Sequence, residues 1–598
     1  MKKILLLSSF IFFIFSATAQ ECFMIKTETN YWDASGTYDG YTLFGTRGTS
    51  YLIDFEGHVI HTWPIGTNPR FTEAGTLLDA VGGNPSNQNT WEELDWNGNV
   101  VWSYTETRSN YHGHHDFEKI YNTKLGDSTF IYIANKDLTS AQCLAAGCDA
   151  SQTYTNPQMD AIVEVNRQGT VIWEWCFFDH VVQDMYSGLP TYGIIASSPG
   201  KINLNIAGNP VKSDWLHCNS LDYNQDLDMI VINSVHGEFY VIDHGNTFVP
   251  NLPDSSIARA ASSLGDFKYR FGDPAKYNSG NPPSVLTNWD KSTTGNKQIG
   301  GAHDIQWIKP GLPGAGNFLV FNNAENLFEL TPQSYIFEIN PYLNSSGTNT
   351  GSFVNPPDAG YNIVSPANSN LMKEKKNISK QVVWIYSSKN NVDFYSTIGG
   401  SAQRLPNGNT LVCSMNDGHF FEVYPGDSSI VWEYINPMTR DGLKHVKPDN
   451  YPTYNGVFRA YRYTSDHPAL TGHDLTPGNT MTGFTPDYFT PGDLTAVKNN
   501  SYDQPKKNDM LNQNYPNPFN NNTTIEFNLD ESKQVSVVIY DFLGNLVKSL
   551  VNKTYSKGNY KLKWDGTNDS GQNVTSGTYF YVLKADNQQI SRKMILIK

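Results

Sequence analysis

Histidines in three short motifs are the residues of this sequence best suited to chemistry. His114 and His115 stand in HGHHD, His217 in DWLHCNS and His303 in GAHDIQW. A neutral imidazole can ligate a metal, transfer protons or attack an electrophile. Each motif opens an alternating apolar and polar segment, which is typical of a β-strand. One site could therefore form if the fold brings the starts of these strands together.

Recurring hairpins are the elements that must position these strands. From about residue 51 to 465, an alternating strand, a turn with Gly and a strand ending in an aromatic residue recur. This spacing, with an aromatic residue at the strand ends, predicts roughly six blades of a β-propeller, whose innermost strands converge on a central channel. A large sandwich or a solenoid is the alternative, although the spacing is too irregular for a solenoid. The clearest hairpins are YLIDFEGHVIHTW, LDWNGNVVWSY, VEVNRQGTVIWEW and FEVYPGDSSIVWEY, and the histidine segments lie between them.

Composition supports an all-β chain and excludes some partners. Of 598 residues, 13% are aromatic and only 17% are charged, and turn-forming Gly is abundant. Aromatic and turn residues in this proportion favour a many-stranded antiparallel protein. The net charge of −15 argues against a nucleic-acid partner, which needs a basic face. No segment after the N-terminus reaches the ~18 apolar residues expected of a membrane span.

The N-terminus has the layout of a secretory signal peptide. Lys2 and Lys3 precede an apolar run from Ile4 to Phe15, and Ala17-Thr18-Ala19 supplies small residues for cleavage. We therefore expect residues 1–19 to be removed on export. In an exported protein Cys143 and Cys148, within CLAAGC, are the best disulfide candidates.

The C-terminal part predicts a second, smaller domain. Residues 486–510 are polar, contain Pro and lack periodicity, which indicates a linker between a propeller over 20–485 and a small Ig-like β-sandwich over 511–598. The last segment resembles the C-terminal sorting domain used for type IX secretion in Bacteroidetes-type bacteria. The resemblance implies passage across the outer membrane, the type IX machinery as a partner, and a protein that is secreted or on the cell surface. A plain Ig-like module is the alternative. The resemblance rests on NYPNPF, VIYD, WDG and GTYF in that order.

The larger part resembles the bacterial arylsulfotransferases over roughly residues 60 to 465. That family is a six-bladed propeller that moves a sulfuryl group from an aryl sulfate to a phenolic acceptor, without a nucleotide sulfate donor or any cofactor. The resemblance is carried by HHDFEKI, DWLHCNSLDYNQDLD, YVIDHGN, YRFGDPAKY, GAHDIQWIKPGLPGAGNFLVFNN and AQRLPNGNTLVCSMNDGHFFEVYP.

The resemblance implies a role for each motif residue. His303 would be the nucleophile that holds the sulfuryl group as a sulfohistidine. His217 and Asn219 would bind the sulfuryl oxygens or protonate the departing phenolate. One of the HGHHD histidines, His115 or His114, would complete the pocket. Metal ligation by this cluster is disfavoured, because the acidic residues that follow the histidines point to the opposite strand face.

One departure from the family pattern concerns the residue that binds the sulfate. The family has an Arg about eighteen residues after the HxN motif, and an Arg clamps anions better than a His does. Here that position is Val235, followed by His236. We expect His236, when protonated, or Arg459 and Arg462 of FRAYRY to replace it. If the protein is a sulfotransferase, Trp215 could stack on the phenol. The alternative function is a secreted propeller without catalysis that binds glycans or proteins.

Overall fold

The computed structural model describes residues 27–596, except 83, 207–210, 280–296, 324–332, 355–377, 389–393, 441, 444–454, 486–487, 489, 492–509, 513, 515–518, 521, 542–545, 576 and 587. The predicted leader and most of the predicted linker lie outside the described residues. The chain divides into two compact units, Met1–His445 with Pro452–Phe489, and Val446–Tyr451 with Thr490–Lys598. The predicted domain boundaries are not tested further and stay predictions.

Six antiparallel sheets in the described part of the first unit form a propeller, as predicted. We number them as blades 1–6 and give the strands of each from the inside outward. Blades 1 and 2 consist of Ala460–Tyr463, Tyr41–Thr46, Thr49–Ile53 and Val59–Trp63, and of Arg70–Phe71, Leu77–Ala80, Thr90–Leu94 and Val100–Thr105. Blades 3 and 4 consist of Tyr111–Asn122, Asp127–Asp137, Gln158–Val165 and Val171–Cys176, and of Cys218–Asn224, Met229–Ser234, Glu238–Asp243 and Tyr269–Phe271. Blades 5 and 6 consist of His303–Trp307, Phe318–Asn322, Tyr335–Ile339 and Val382–Tyr386, and of Ser401–Arg404, Thr410–Ser414, His419–Val423, Ile430–Ile435 and Glu28–Trp32.

The predicted hairpins are the outer strand pairs of blades 1, 2, 3 and 6. Their turns contain glycines with a left-handed backbone, such as Gly98 and Gly169, a conformation that costs other residues energy. The tryptophans of these hairpins pack between blades, where Trp63, Trp173 and Trp432 are fully buried. Burial of such large rings stabilises the blade interfaces.

The ring is closed by both ends of the first unit. The late strand Ala460–Tyr463 pairs with Tyr41–Thr46 as the inner strand of blade 1. The early strand Glu28–Trp32 pairs with Ile430–Ile435 as a fifth, outermost strand of blade 6. Segments more than four hundred residues apart in the chain therefore hold blades 1 and 6 together.

Short elements fill the connections. Two strand pairs lie outside the blades, Val181–Val182 with Ile202–Asn203 and Met438–Thr439 with Gly442–Leu443. No helix in the described residues is long and apolar enough to cross a membrane. The α-helices are Ser140–Ala145 and Pro253–Ala260, and the 3-10 helices are Phe177–Asp179, Ile195–Ser197, Ser263–Gly265 and Pro274–Tyr277.

The helix Ser140–Ala145 carries one of the two cysteines predicted to pair. Cys143 and Cys148 are buried free thiols in the structure. They hydrogen-bond to each other, which raises the pKa of the Cys148 thiol. The two cysteines predicted to pair are therefore neighbours, but no disulfide joins them.

The described part of the second unit is a two-sheet β-structure with its own apolar core. Its alternating strands bury Ile525, Val537 and Tyr581 and expose the residues between them, as a sandwich requires. The small sandwich predicted from the sequence is confirmed. One sheet pairs Thr523–Leu529 with Gly558–Trp564, and the other has the order Leu546–Tyr555, Lys533–Asp541, Gly577–Ala585 and Gln588–Leu596.

Candidate active site

The three histidine motifs lie where the inner strands of blades 3, 4 and 5 begin. Each start is irregular, with a shift in strand register at His114–Asp116, at Asn219 and at Asp304. His115, His217 and Asp304 have left-handed φ values of 58°, 47° and 48°. Strain of this kind persists only where surrounding contacts enforce it, and it concentrates at functional sites.

Side chains that follow the histidines link the blades. Asp116 accepts from Leu221 N–H of the next blade at 2.9 Å. Ser220 accepts from Ile305 N–H at 3.0 Å. Asp304 accepts from Ala402 N–H at 2.9 Å. Asp304 therefore orients structure, as its place on the opposite strand face predicted, and the links fix the inner strands relative to each other.

His303 is held as the tautomer that a nucleophile needs. Its Nδ1 lies 2.8 Å from Asn323 Oδ1 and 2.9 Å from Gly301 O. Asn323 donates its own amide N–H groups to Ser396 O and Gly399 O, so its oxygen faces His303. Since both neighbours of Nδ1 only accept, Nδ1 carries the proton and Nε2 carries the lone pair.

Electrostatics keep that lone pair free. Burial, helped by the nearby His217 and opposed by Asn323, lowers the pKa of His303 to about 3. Among the described residues no hydrogen bond engages Nε2. His303 is thus a neutral imidazole with an available nitrogen at neutral pH.

His217 and His115 form a hydrogen-bonded pair next to it. Their Nε2 atoms are 3.1 Å apart, and Nδ1 of His217 lies 2.5 Å from Asp214 Oδ2. Burial, with the neighbouring His114 and His217, holds the pKa of His115 well below the ordinary value. His115 stays neutral, and the Asp214 carboxylate fixes the His217 ring from its other side.

Asn219 positions the site rather than facing it. Its Nδ2 donates to Ala302 O at 2.8 Å, its Oδ1 accepts from Asn233 at 2.8 Å, and its side chain is fully buried. Ala302 immediately precedes His303, so this amide fixes the backbone that carries the nucleophile. The predicted contact of Asn219 with sulfuryl oxygens is therefore replaced by a positioning role, because both polar ends are already bonded.

His236 cannot serve as the cationic clamp proposed for it. Burial and the nearby Lys276 and Lys297 lower its pKa to about 2, so it stays neutral. Its Nε2 donates to Trp215 O at 2.9 Å. Lys276 and Lys297 supply positive charge at this end instead. Trp215 is fully buried, which agrees with a blade-packing role rather than stacking on a phenol.

The two arginines predicted for the pocket have different places. Arg459 is buried beneath the histidines, where it bonds to Asp116 Oδ2 at 2.9 Å and to Asn219 O at 3.0 Å. Its charge lowers the pKa of both His115 and His303. Arg462 is not brought to the histidines: it pairs with Glu422 at 3.2 Å, in the closure of the ring.

A pocket of 210 Å³ lies further along the same inner strands. It is lined by charged groups, including Glu118, Asp222 and Lys309, and shares Asp304 and Arg459 with the links beneath the histidines. None of the histidines of the three motifs lines it. The tautomer and pairing of the histidines, rather than this pocket, therefore define the candidate active site.

Comparison with known families identifies the first unit. Residues 44–431 match the arylsulfotransferase (ASST) family model, which is more than half of the chain. The chain belongs to the arylsulfotransferase family. Membership supports a sulfotransferase enzyme with small-molecule substrates, as predicted. No curated protein matches this arylsulfotransferase chain.

The C-terminal unit of this arylsulfotransferase matches a second family. Residues 517–589 match the FlgD Ig-like domain. The Ig-like prediction is thereby confirmed, whereas its use as a type IX sorting domain stays a prediction.

Solved structures show only remote likenesses. A protein of unknown function from Bacteroides caccae has 9% identity, with 71% of this chain and 99% of that chain covered and a TM-score of 0.32. The Cps50 (Swd1) β-propeller domain of Myceliophteria thermophila has 12% identity, coverage of 68% and 89%, and a TM-score of 0.29. FlgD from P. aeruginosa has 26% identity, coverage of 12% and 59%, and a TM-score of 0.11. Scores this low carry no argument about function.

Two functional residues of this arylsulfotransferase are absent from the sequence prediction. Asp214 stands three residues before His217 in DWLHCNS, so its spacing is a signal that could have found it. Asn323 ends the second strand of blade 5, directly beside His303. Only strand pairing brings these two together, and the sequence alone gives no such signal.

Proposed function

We propose that this protein transfers a sulfuryl group from an aryl sulfate to a phenol through a sulfohistidine on His303. The observation that carries the proposal is the fixed tautomer of His303, with Nδ1 bonded to Asn323 and Gly301 and no hydrogen bond to Nε2 from any described residue. Splitting the transfer into two displacements divides a difficult barrier into two smaller ones.

In the first displacement Nε2 of His303 attacks the sulfur of the aryl sulfate. The S–N bond forms while the bond from sulfur to the aryl oxygen breaks, and the aryloxide leaves with the electron pair. His217 gives its Nε2 proton to that oxygen, and Asp214 stabilises the charge on His217. The sulfurylated ring keeps Nδ1–H and becomes cationic, which Asn323 Oδ1 and Gly301 O stabilise.

In the second displacement a phenol oxygen attacks the same sulfur. His217, now neutral, accepts the phenol proton at Nε2 as a general base. The S–N bond breaks and its electron pair returns to His303. The enzyme is then restored to its starting state, and no nucleotide or metal takes part in either step.

Lysines would hold the sulfate charge in place of the family's Arg. Lys276 donates to His236 O at 2.9 Å, and Lys297 is buried beside it. A lysine ammonium is a compact point charge that binds sulfuryl oxygens without the two-pronged geometry of Arg. Val235, at the Arg position, is buried, and its N–H donates to His217 O at 3.2 Å.

The deciding experiment measures turnover of 4-nitrophenyl sulfate with a phenol acceptor. Wild type should turn over, His303→Ala should not, and His58→Gln, at a surface histidine, should match wild type. Without acceptor, mass spectrometry should find a sulfuryl adduct on the peptide that carries His303. Equal rates for wild type and His303→Ala would overturn the nucleophile, and an inactive wild type would favour a binding propeller.

We also propose export by two signals, the leader at 1–19 and the sorting domain at 511–598. An enzyme outside the cell has no supply of cytoplasmic nucleotide sulfates, so a histidine carrier with an aryl sulfate donor suits that location. Residues 511–598 fused to a fluorescent protein behind the leader should reach the surface or medium of a bacterium with type IX secretion. Retention of this fusion in the periplasm, equal to a control without residues 511–598, would contradict the proposal.

A further inference from the structure

A cluster of His114, Asp160 and Asp214 lies behind the histidine pair and has no role in the proposed transfer. One side-chain donor atom from each of the three lies within 4.8 Å of the others. His114 comes from the inner strand of blade 3, Asp160 from its third strand, and Asp214 from the segment before blade 4. Three separate parts of the chain therefore converge on one point.

His114 and Asp160 of this cluster are buried and incompletely satisfied, whereas Asp214 is partly exposed and bonds to His217 and Asn135. His114 Nε2 lies 3.1 Å from Asp160 Oδ1, but the contact does not have hydrogen-bond geometry. His114 Nε2, Asp160 Oδ2 and the neighbouring Asn135 Oδ1 have no hydrogen-bond partner among the described residues. Their side chains are 3%, 0% and 9% exposed. Unsatisfied polar atoms at this depth are rare and call for a ligand.

Charge compensation points to a cation. Some buried carboxylates of the propeller are matched by arginine, as Asp116 is by Arg459 and Glu238 by Arg270. Asp160 instead accepts from Cys218 N–H at 3.0 Å and faces His114 at 3.1 Å. Among the described residues neither Asp160 nor Asp214 forms an ion pair with Lys or Arg. Burying unpaired carboxylates is unfavourable unless a cation or hydrogen bonds offset the lost hydration.

We propose that His114, Asp160 and Asp214 bind a divalent transition-metal ion of the Zn²⁺ type, with Asn135 Oδ1 as a further oxygen donor. One imidazole and two carboxylates suit Zn²⁺ better than Mg²⁺, which prefers oxygen ligands alone. The ion neutralises the two carboxylates and satisfies the unpartnered atoms. This differs from the sequence prediction of no metal, because Asp160 and Asp214 do not adjoin the histidines in sequence.

The ion also connects to the candidate active site. Asp214 holds Nδ1 of His217 through Oδ2 and accepts from Asn135 Nδ2 through Oδ1, at 3.1 Å. A carboxylate shared between a metal and an imidazole fixes the orientation of that ring. The ion is therefore a positioning element for His217. This effect rests on the proposed function, whereas metal binding itself does not.

Metal binding is tested on the full chain after removal of metals with a chelator. Zn²⁺ is titrated in competition with a chromophoric chelator, and bound zinc is counted by elemental analysis. Wild type should bind one Zn²⁺ at this site, Mg²⁺ should not displace it, and Asp160→Asn and His114→Gln should each weaken binding by at least about tenfold. Unchanged zinc affinity in both variants, or a wild type that binds no zinc, overturns the site.

A second histidine and carboxylate cluster provides the matched control. Asp54, Glu56 and His58 form a similar but half-exposed group on blade 1. His58→Gln should leave the tight Zn²⁺ site intact, and loss of binding in this variant would overturn the assignment. If Asp160→Asn does not fold, X-ray absorption at the zinc edge identifies the ligands of the ion bound to His58→Gln. One imidazole nitrogen with oxygen ligands supports the site, and a shell without imidazole overturns it.

Discussion

At the scale of single residues, the proposed mechanism makes one histidine the nucleophile and another the proton carrier. His303 has oxygen acceptors on Nδ1 and low polarity around it, so it is neutral and nucleophilic. His217 has the Asp214 carboxylate on Nδ1 and His115 on Nε2. Two histidines thus have different proposed roles, which depend on whether Nδ1 is bonded to an amide oxygen or to a carboxylate.

The neutral state of His303 gives the first prediction. Its pKa of about 3 lies well below the ordinary 6.5, so the ring should remain the Nδ1–H tautomer from pH 8 down to about pH 4. Nitrogen-15 NMR of labelled histidines would show this, with the signal assigned by its loss in His303→Gln. An inflection of that signal near pH 6.5 would contradict the tautomer argument.

The acid role of His217 predicts a dependence on the leaving group. His217→Asn should slow kcat by about 10² to 10⁴ with phenyl sulfate, whose phenolate needs a proton to leave. The loss should be much smaller with 4-nitrophenyl sulfate, because 4-nitrophenolate leaves readily without one. Steady-state rates with the two donors measure the difference. Equal losses would show that His217 does not protonate the leaving group.

At the scale of elements, the inner strands are joined by side chains that reach across blade boundaries. Asp116, Ser220, Asp304 and Ser401 hold equivalent positions, and each accepts from a backbone N–H of the following blade. The carboxylates of this series also surround Arg459. The histidines are positioned by this series of links, because each histidine motif begins one of the linked strands.

Removal of one link should show its strength. Asp304→Ala leaves Ala402 N–H unpaired and takes a carboxylate from Arg459, so the free energy of unfolding should fall by about 3 kcal/mol. Ser401→Ala, which removes only long neutral hydrogen bonds to Ala460 N–H and O, of 3.3 and 3.4 Å, should cost about 1 kcal/mol. Urea denaturation followed by tryptophan fluorescence compares them. A loss from Ser401→Ala as large as that from Asp304→Ala would refute the charge argument.

The interface of blades 3 and 4 should respond to pH through His244. Burial disfavours its charge, but Glu164 and Asp228 outweigh this and raise its pKa to about 9. Since the folded pKa exceeds the unfolded 6.5, the stabilisation is complete below pH 6.5 and is lost as pH rises to about 9. The shift corresponds to about 3 kcal/mol.

The measurement is the unfolding free energy of wild type and His244→Gln between pH 6 and 10. Wild type should lose stability over that window, and His244→Gln should lose less. His58→Gln serves as the control and should follow wild type. A slope in His244→Gln as steep as that of wild type would assign the pH dependence to other groups.

At the scale of the whole molecule, the ring depends on strands from both ends of the first unit. Arg462, on the closing inner strand of blade 1, pairs with Glu422 of blade 6 at 3.2 Å and donates to Thr42 at 2.9 Å. Its guanidinium also lies over the rings of Phe55 and Trp432, at 4.5 and 4.7 Å from their centroids. One side chain thus connects the last and first blades.

Closure gives the last prediction. Arg462→Met leaves Glu422 buried without its partner, so stability should fall by about 3 to 5 kcal/mol. The double change Arg462→Met with Glu422→Leu should recover part of that loss, because it removes the isolated charge. Thermal unfolding followed by circular dichroism measures both. A double variant no more stable than Arg462→Met would contradict this explanation.

Sequence alone determined the repeated hairpins, the six-bladed fold, the small C-terminal sandwich and the three histidine motifs. Alternation, turn glycines and order along the chain are local properties, so they can be recognised without knowing which residues are in contact. The tertiary structure decided what each side chain does. Asn219 and Arg462 match their motifs but are bonded elsewhere, while Asn323 and Asp160 reach the histidines from other strands. Hydrogen-bond partners, burial and charge depend on strands that are distant in sequence and adjacent only in the closed ring.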